Sequence, residues 1–381
     1  MKLPEPTPEA REHSDRVTAL IREEISGCGG WISFSQYMDL ALYAPGLGYY
    51  SAGAKKLGKA GDFITAPELS PLYGQTLARQ VQQVLEAGFD EILEVGAGTG
   101  ALAATVLEEL ERSGVPPRNY FILELSADLR ERSRDALAAR VPHLLERVAW
   151  LNRLPPSFSG LVLGNEVLDA MPVHVVRVNA GRIEEGGVAL RNDRLGWSWR
   201  IASGDLLAAS ERLALPEGFR TEIQLAARAF MRSLAGVLEK GVALFIDYGF
   251  PKAEYYHPQR MEGTLMCHYR HHAHSDPFFF PGLQDITSHV DFSAIASAAL
   301  AGGLGLAGYT NQAQFLVNCG ITEVMSRTPA EDGVRYLPLS NQANRLMSSA
   351  EMGELFKVIG FARDFPAPLI GFREGDRRVT L

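Results

Sequence analysis

Cysteine is scarce. The 381 residues hold 3, Cys28, Cys267 and Cys319, and none sit at C-x-x-C spacing. That odd, scattered set excludes a disulfide scaffold and fits a reducing, cytoplasmic setting. An excess of positive charge is also missing: Lys+Arg is 37 and Asp+Glu is 45, for a net charge of −8. A dedicated nucleic-acid binder is not expected from that balance. The opening MKLPEPTPEAREH has no apolar core, so it does not read as a secretory signal. Long hydrophobic runs are lacking too. The one long uncharged stretch, 292–322, is broken by Gly302, Gly303, Gly305, Gly308 and Asn311. It reads as a small-residue helix followed by a buried strand, not as a membrane span. What remains is ordinary: 46% apolar and 22% charged residues, enough for a sizeable core.

The amino-terminal residues 1–12, with Pro4, Pro6 and Pro8, read as a loose tail. An amphipathic helix follows, with Val17, Leu20, Ile21 and Ile25 on one face and Gly27, Gly29 and Gly30 stopping it. A second helix is predicted from Ser33 to Tyr43, and another over 72–85. From about residue 90 the pattern changes. Short apolar runs, EILEV (91–95), YFILEL (120–125), VAWL (148–151), LVLGNE (161–166) and VALFIDYG (242–249), appear, with helical stretches at 99–112 and 127–140 between the early ones. Such runs separated by helices predict a mostly parallel α/β sheet covered on both faces. Residues 173–204 instead alternate apolar and polar, with Asn179-Ala180-Gly181 and Asn192-Asp193 as turn signals, and predict inserted antiparallel strands.

The segment Ile92–Gly100, ILEVGAGTG, places a glycine turn between a strand and a helix expected to begin near Thr99. Gly96 permits the sharp turn and Gly98 lets a ligand approach the backbone. Unpaired amides at the helix start favour an anionic group. Two cofactor classes fit. Gly96, Gly98 and Ala101 satisfy the dinucleotide pattern G-x-G-x-x-[GA]. The longer Glu94-Val95-Gly96-Ala97-Gly98-Thr99-Gly100 fits the [DE]-x-G-x-G-x-G turn of S-adenosyl-L-methionine (SAM) enzymes. Glu124, ending the next strand, is placed to accept two ribose hydroxyls in either class.

The fourth run ends in Asn165 and Glu166, followed by Asp169. Ligands bind beyond the carboxyl ends of parallel strands, so these groups are expected at the reactive end of a cofactor. Methyl transfer needs the nucleophile aligned with the sulfonium–methyl bond, which is largely a matter of held geometry. A guanidinium nucleophile would suit carboxylates: they grip its planar fork and draw its charge away from the attacking nitrogen.

Other segments carry less. Gly61-Asp62-Phe63-Ile64-Thr65 reads as a lid, with Asp62, Phe63, Thr65 and Glu68 as its candidates. Gly53-Ala54-Lys55-Lys56-Leu57-Gly58-Lys59 nearly spells a phosphate loop but lacks the Ser or Thr that would hold magnesium. His257, His268, His271, His272 and His274 cluster without a recognised ligand spacing, so no metal is expected. His271 and His289 are read as rimming a substrate entrance. Asp247-Tyr248-Gly249 is read as a strand-end turn bordering the site.

ILEVGAGTG, YFILELSADLR, GNEVLDAMPVH and LFIDYGF, together with GDFITAPELSPLYG, HYRHHAHSDPF and QDITSHVDF, resemble the MidA-like methyltransferases. That family includes bacterial proteins and the mitochondrial complex I assembly-factor arginine methyltransferase. The likeness runs over about residues 15–375. It implies a class I SAM methyltransferase fold, Rossmann-like, with a seven-stranded mostly parallel sheet. A helical extension and lid loop would occupy 1–88. The methyltransferase domain would occupy 89–381, with insertions at about 173–220 and 251–283. Carried over by position, Glu94, Gly96, Gly98, Gly100, Glu124 and Asn165 would hold SAM, and Asn165, Glu166 and Asp169 would line the methyl-transfer end. The implied partner is a protein with an exposed arginine, of the respiratory complex I subunit type, converted to symmetric dimethylarginine. Neither nucleic acid nor a membrane is an expected partner, and a homodimer is compatible with the sequence. Val167 and Leu168 stand where the mitochondrial branch carries two aromatics, so the pocket wall differs. A non-catalytic SAM-binding assembly factor, a small-molecule methyltransferase and a nicotinamide-dependent oxidoreductase stay open at this point.

Overall fold

The computed structural model describes residues 3–52 and 65–381. Contacts divide the chain into two units, each assembled from three separate stretches. One gathers Met1–Phe63, Leu168–Ala229 and Phe250–Ala294; the other gathers Ile64–Val167, Phe230–Gly249 and Ile295–Leu381.

The second unit holds the sheet foreseen from the apolar runs. Seven of its eight strands are β1 Glu91–Val95, β2 Asn119–Leu123, β3 Val148–Leu151, β4 Phe158–Asn165, β5 Leu238–Phe250, β6 Gly305–Asn311 and β7 Phe356–Arg363. These seven lie in the order β3-β2-β1-β4-β5-β7-β6. The first five pair in parallel, and β7 runs antiparallel to both β5 and β6. Ile92, Ile122, Leu161, Leu163, Val242, Leu244 and Val358 meet helix residues Leu77, Val81, Leu102, Val106 and Leu107 in one core. That burial explains why the central strands read as unbroken apolar runs.

The strand order reverses at β1. The chain leaves it for β2 and β3 on one side, then returns to β4 on the other, and such a switch opens a crevice at the carboxyl ends. The register makes that crevice specific. Val95 pairs with Leu123 on β2 and with Gly164 on β4. Gly96, Glu124 and Asn165 therefore follow at one level. A slip of one residue would turn each side chain to the opposite face.

The helix Ala101–Arg112 starts two residues later than the expected Thr99, because Gly100 adopts a left-handed conformation and precedes its first turn. The helix Pro71–Glu86, assigned by sequence to the amino-terminal extension, instead buries Leu77, Ala78, Val81 and Val84 in the sheet core. That helix thus belongs with the second unit. Strand β7 and the helix Gly333–Met347 have no counterpart in the sequence reading.

In the first unit the helix runs Pro8–Gly27, so the proline tail is shorter than expected. Pro8 sits at the first position and Thr7 caps it, its hydroxyl accepting from the Ala10 amide. The antiparallel strands His174–Asn179, Arg182–Arg191 and Arg194–Ile201 are joined by Ala180-Gly181 and Asn192-Asp193, all four at positive φ, as two-residue hairpin turns require. Val17, Ile21, Phe34 and Tyr37 share a core with Val175, Val188, Cys267 and Ile286. The amino-terminal helices and both insertions are therefore one body. Among the described residues no helix is long and apolar enough to cross a membrane.

Candidate active site

The glycine turn is built by its backbone. Gly96, Gly98 and Gly100 have φ of +66°, +55° and +80°, a region that side chains strongly disfavour. The Gly96 amide donates to the Leu123 carbonyl at 2.9 Å, tying the turn to the end of β2. No side chain caps the helix Ala101–Arg112, so its first amides lack a side-chain acceptor and suit an anionic group.

Glu124 closes one side of this turn. It is only 7% exposed. Its Oε1 accepts from the Ser126 amide at 2.9 Å and its Oε2 from the Gly98 amide at 3.3 Å. Burial raises its pKa, while those amides and the nearby Arg130 oppose the rise. The next residue, Leu125, is 71% exposed, an apolar face on open ground beside a buried acid. The sequence reading passed over Leu125, because an isolated leucine carries no pattern.

Glu94 lies deeper than the sequence implied. It is 2% exposed and accepts the Tyr120 hydroxyl at 2.7 Å. Burial pushes its pKa from the ordinary 4.5 to about 7, against the Tyr120 bond. The folded chain thus binds this proton more tightly than the unfolded chain. The resulting stability is full below about pH 4.5 and fades as pH rises through about 7, a span worth at most about 3 kcal/mol. Glu94→Gln, whose amide oxygen can still accept from Tyr120, is expected to flatten this slope. Thermal melting at pH 5 and pH 8 checks it; a slope unchanged in the variant would contradict the assignment.

On the other side of β1, Asn165 ends β4. Its Oδ1 accepts the Tyr73 hydroxyl at 2.5 Å, and its Nδ2 donates to Glu166 Oε1 at 3.1 Å. The Ala66 amide also donates to Glu166 Oε1, at 3.4 Å. Glu166 itself has φ +53°, a strained setting for a residue with a side chain. The end of β5 holds it there. The Glu166 amide donates to the Ile246 carbonyl at 2.8 Å, and the Val167 amide donates to buried Asp247 at 3.2 Å. Asp247 also accepts its neighbour Tyr248's amide at 2.9 Å; β5 continues through the expected turn at 247–249 to Phe250, so it is the strand itself that serves as a clamp.

Glu68 Oε1 accepts the Thr99 hydroxyl at 3.0 Å, linking the short helix Ala66–Leu69 to the glycine turn; burial raises the Glu68 pKa. Thr65 precedes that helix without a side-chain cap. Asp62 and Phe63, like the near phosphate loop, lie outside the described residues. Asp169 belongs to the first unit, where it is buried and its carbonyl accepts from the Ser288 amide at 3.1 Å. His271 is exposed at a hairpin turn of that unit, and His289 is half-buried with its ring 5.1 Å from Phe250. The second unit therefore brings together Glu94, the three glycines, Glu124, Asn165, Glu166 and Glu68. It adds Tyr73, Thr99 and Leu125, which sequence reasoning did not single out.

Residues 74–310 match the family of S-adenosyl-L-methionine-dependent methyltransferases. A crystal structure from Burkholderia thailandensis, bound to S-adenosyl-homocysteine, is 50% identical, covers 100% of both chains and superposes with a TM-score of 0.96. The mitochondrial protein arginine methyltransferase NDUFAF7 of Danio rerio is 27% identical, over 88% of this chain and 85% of its own. That of Mus musculus is 28% identical, over 90% and 84%.

Proposed function

The chain belongs to the S-adenosyl-L-methionine-dependent methyltransferases and uses that cofactor, and from this premise we propose that it N-methylates arginine side chains of a protein partner. The observation that carries the reading is the carboxylate of Glu166, pinned at the end of β4 beyond a turn suited to SAM.

The residues fit the cofactor. The uncapped helix start suits its carboxylate, and buried Glu124 offers a carboxylate to its ribose. Leu125, next to that acid, gives a purine an apolar face. When bound, SAM supplies an electrophilic methyl group on a sulfonium.

Glu166 and Asn165 then act on the substrate. A carboxylate accepts two parallel hydrogen bonds from a guanidinium, fixing its plane. It also concentrates the guanidinium's positive charge on the gripped nitrogens, leaving the third more nucleophilic. Lysine presents a compact point charge and no fork, so it gains little from the same acid. The curated relatives named as arginine methyltransferases support this choice, and the acidic balance of −8 suits a basic peptide. The resemblance extends the proposal to symmetric dimethylation of a respiratory complex I type subunit, in the cytoplasm.

The test is transfer of labelled methyl groups from SAM to peptides of such subunits, each paired with an Arg→Lys version. We expect label on the arginine peptides and background on the lysine ones. Equal labelling of both, or label confined to small molecules, would defeat the proposal.

A further inference from the structure

Resting on the methyl-transfer reading above, we propose that Tyr73 is a positioning residue for the reaction, setting the Glu166 carboxylate through the side-chain amide of Asn165. Tyr73 stands on the helix Pro71–Glu86 and is 2% exposed, with its hydroxyl at the end of β4. Its proton goes to Asn165 Oδ1 at 2.5 Å, and Asn165 Nδ2 donates onward to Glu166 Oε1 at 3.1 Å.

The chemistry of an amide makes this relay directional. Its two ends are alike in shape and opposite in hydrogen-bonding sense. A fixed donor at one end selects oxygen for that end, which delivers the NH2 group to the carboxylate. Burial, followed by the charges of Glu166 and Asp247, holds the Tyr73 phenol well above its usual pKa, so it stays a proton donor across the working range. Among the described residues, the titratable groups beside Glu166 at this corner include Tyr73, Asp247 from β5, and Glu68 on the same short helix as Ala66. Replacing Tyr73 alters only the first of them.

Without the phenol, Asn165 keeps its bond to Glu166 but loses the partner that fixes its rotation. The carboxylate then loses a firmly held donor. Small misplacements of a positioned group cost as much as 100-fold in rate. Loss of a donor to the charged form also raises the carboxyl's pKa.

Tyr73→Phe keeps the ring and removes one oxygen. We expect kcat to fall about 10- to 100-fold, with the KM for SAM and the Kd for S-adenosyl-homocysteine within about twofold of wild type. We expect the Glu166 carboxyl, followed by carbon-13 NMR and assigned with Glu166→Gln, to titrate at higher pH in the variant. The double variant Tyr73→Phe/Asn165→Ala should be no slower than Asn165→Ala alone, because the two act in series. If Tyr73→Phe does not fold, Asn165→Ala must show the same upward titration shift. An unmoved titration, an unmoved kcat, or additive losses in the double variant would overturn the proposal. Absence of methyl transfer to protein by the wild-type chain would defeat the functional reading instead, and the Glu166 titration would still decide the role of Tyr73.

Discussion

Glu166→Gln is expected to lower methyl transfer about 10²–10³-fold while leaving S-adenosyl-homocysteine affinity within about threefold. The substitution is nearly isosteric, so the left-handed backbone held by Ile246 and Asp247 survives. What disappears is the negative charge. A glutamine cannot take two hydrogen bonds on two acceptor oxygens, nor balance a cation that gains charge as the new bond forms. The cofactor contacts proposed above lie on the glycine turn that follows β1 and on Glu124 at the end of β2, and neither depends on the charge of Glu166, so binding should be spared. Steady-state transfer to the arginine peptide, with calorimetry for the cofactor product, measures both arms. A variant that transfers at the wild-type rate would remove Glu166 from the reaction. A variant that loses the cofactor would make it a binding residue.

Gly100→Ala is expected to destabilise the chain by about 2–4 kcal/mol. Two costs add. A side chain at φ +80° is strained, and its Cβ would lie 2.9 Å from Ser133 Cα and 3.1 Å from the Ser133 carbonyl oxygen. Those atoms cannot withdraw cheaply. Ser133 is fully buried in the helix Ala127–Arg140, and its hydroxyl accepts the Trp150 indole at 2.9 Å. Gly114 supplies the control: its φ is +74°, and nothing lies within 4 Å of an added Cβ. Gly114→Ala should therefore cost only the conformational part, about 1 kcal/mol. Urea unfolding of both variants separates strain from collision. Equal losses would mean that packing against Ser133 is not what demands glycine. A Gly100→Ala chain that remains folded should also bind S-adenosyl-homocysteine more weakly, because the helix start and its amides must shift.

The parallel core was legible because burial on both faces forces strands such as EILEV and LVLG into unbroken apolar runs. The hairpins were legible because Ala180-Gly181 and Asn192-Asp193 occupy turns that need positive φ. β7 was not. Gly360 interrupts its apolar run, and no helix of regular period marks its boundaries. The grouping of both insertions with the amino-terminal helices was also hidden, since Val17 meeting Val175 and Ile286 is a contact between residues far apart in the chain. At the site, Gly96, Glu124 and Asn165 could be aligned because strand ends in a parallel sheet share a level. Tyr73 could not be foreseen, because its hydroxyl looks in sequence like any aromatic on the apolar face of an amphipathic helix. Glu94 was placed near the ligand by motif, whereas the pleat turns it inward onto Tyr120.

The proposed reaction requires the cofactor to lie across the β1 switch, from Glu124 to the Asn165–Glu166 corner. A crystal structure of this chain with S-adenosyl-homocysteine measures it directly. We predict ribose hydroxyls on the Glu124 carboxylate and the sulfur directed toward Asn165 and Glu166. A ribose bound away from Glu124, or a sulfur directed away from that corner, would contradict it.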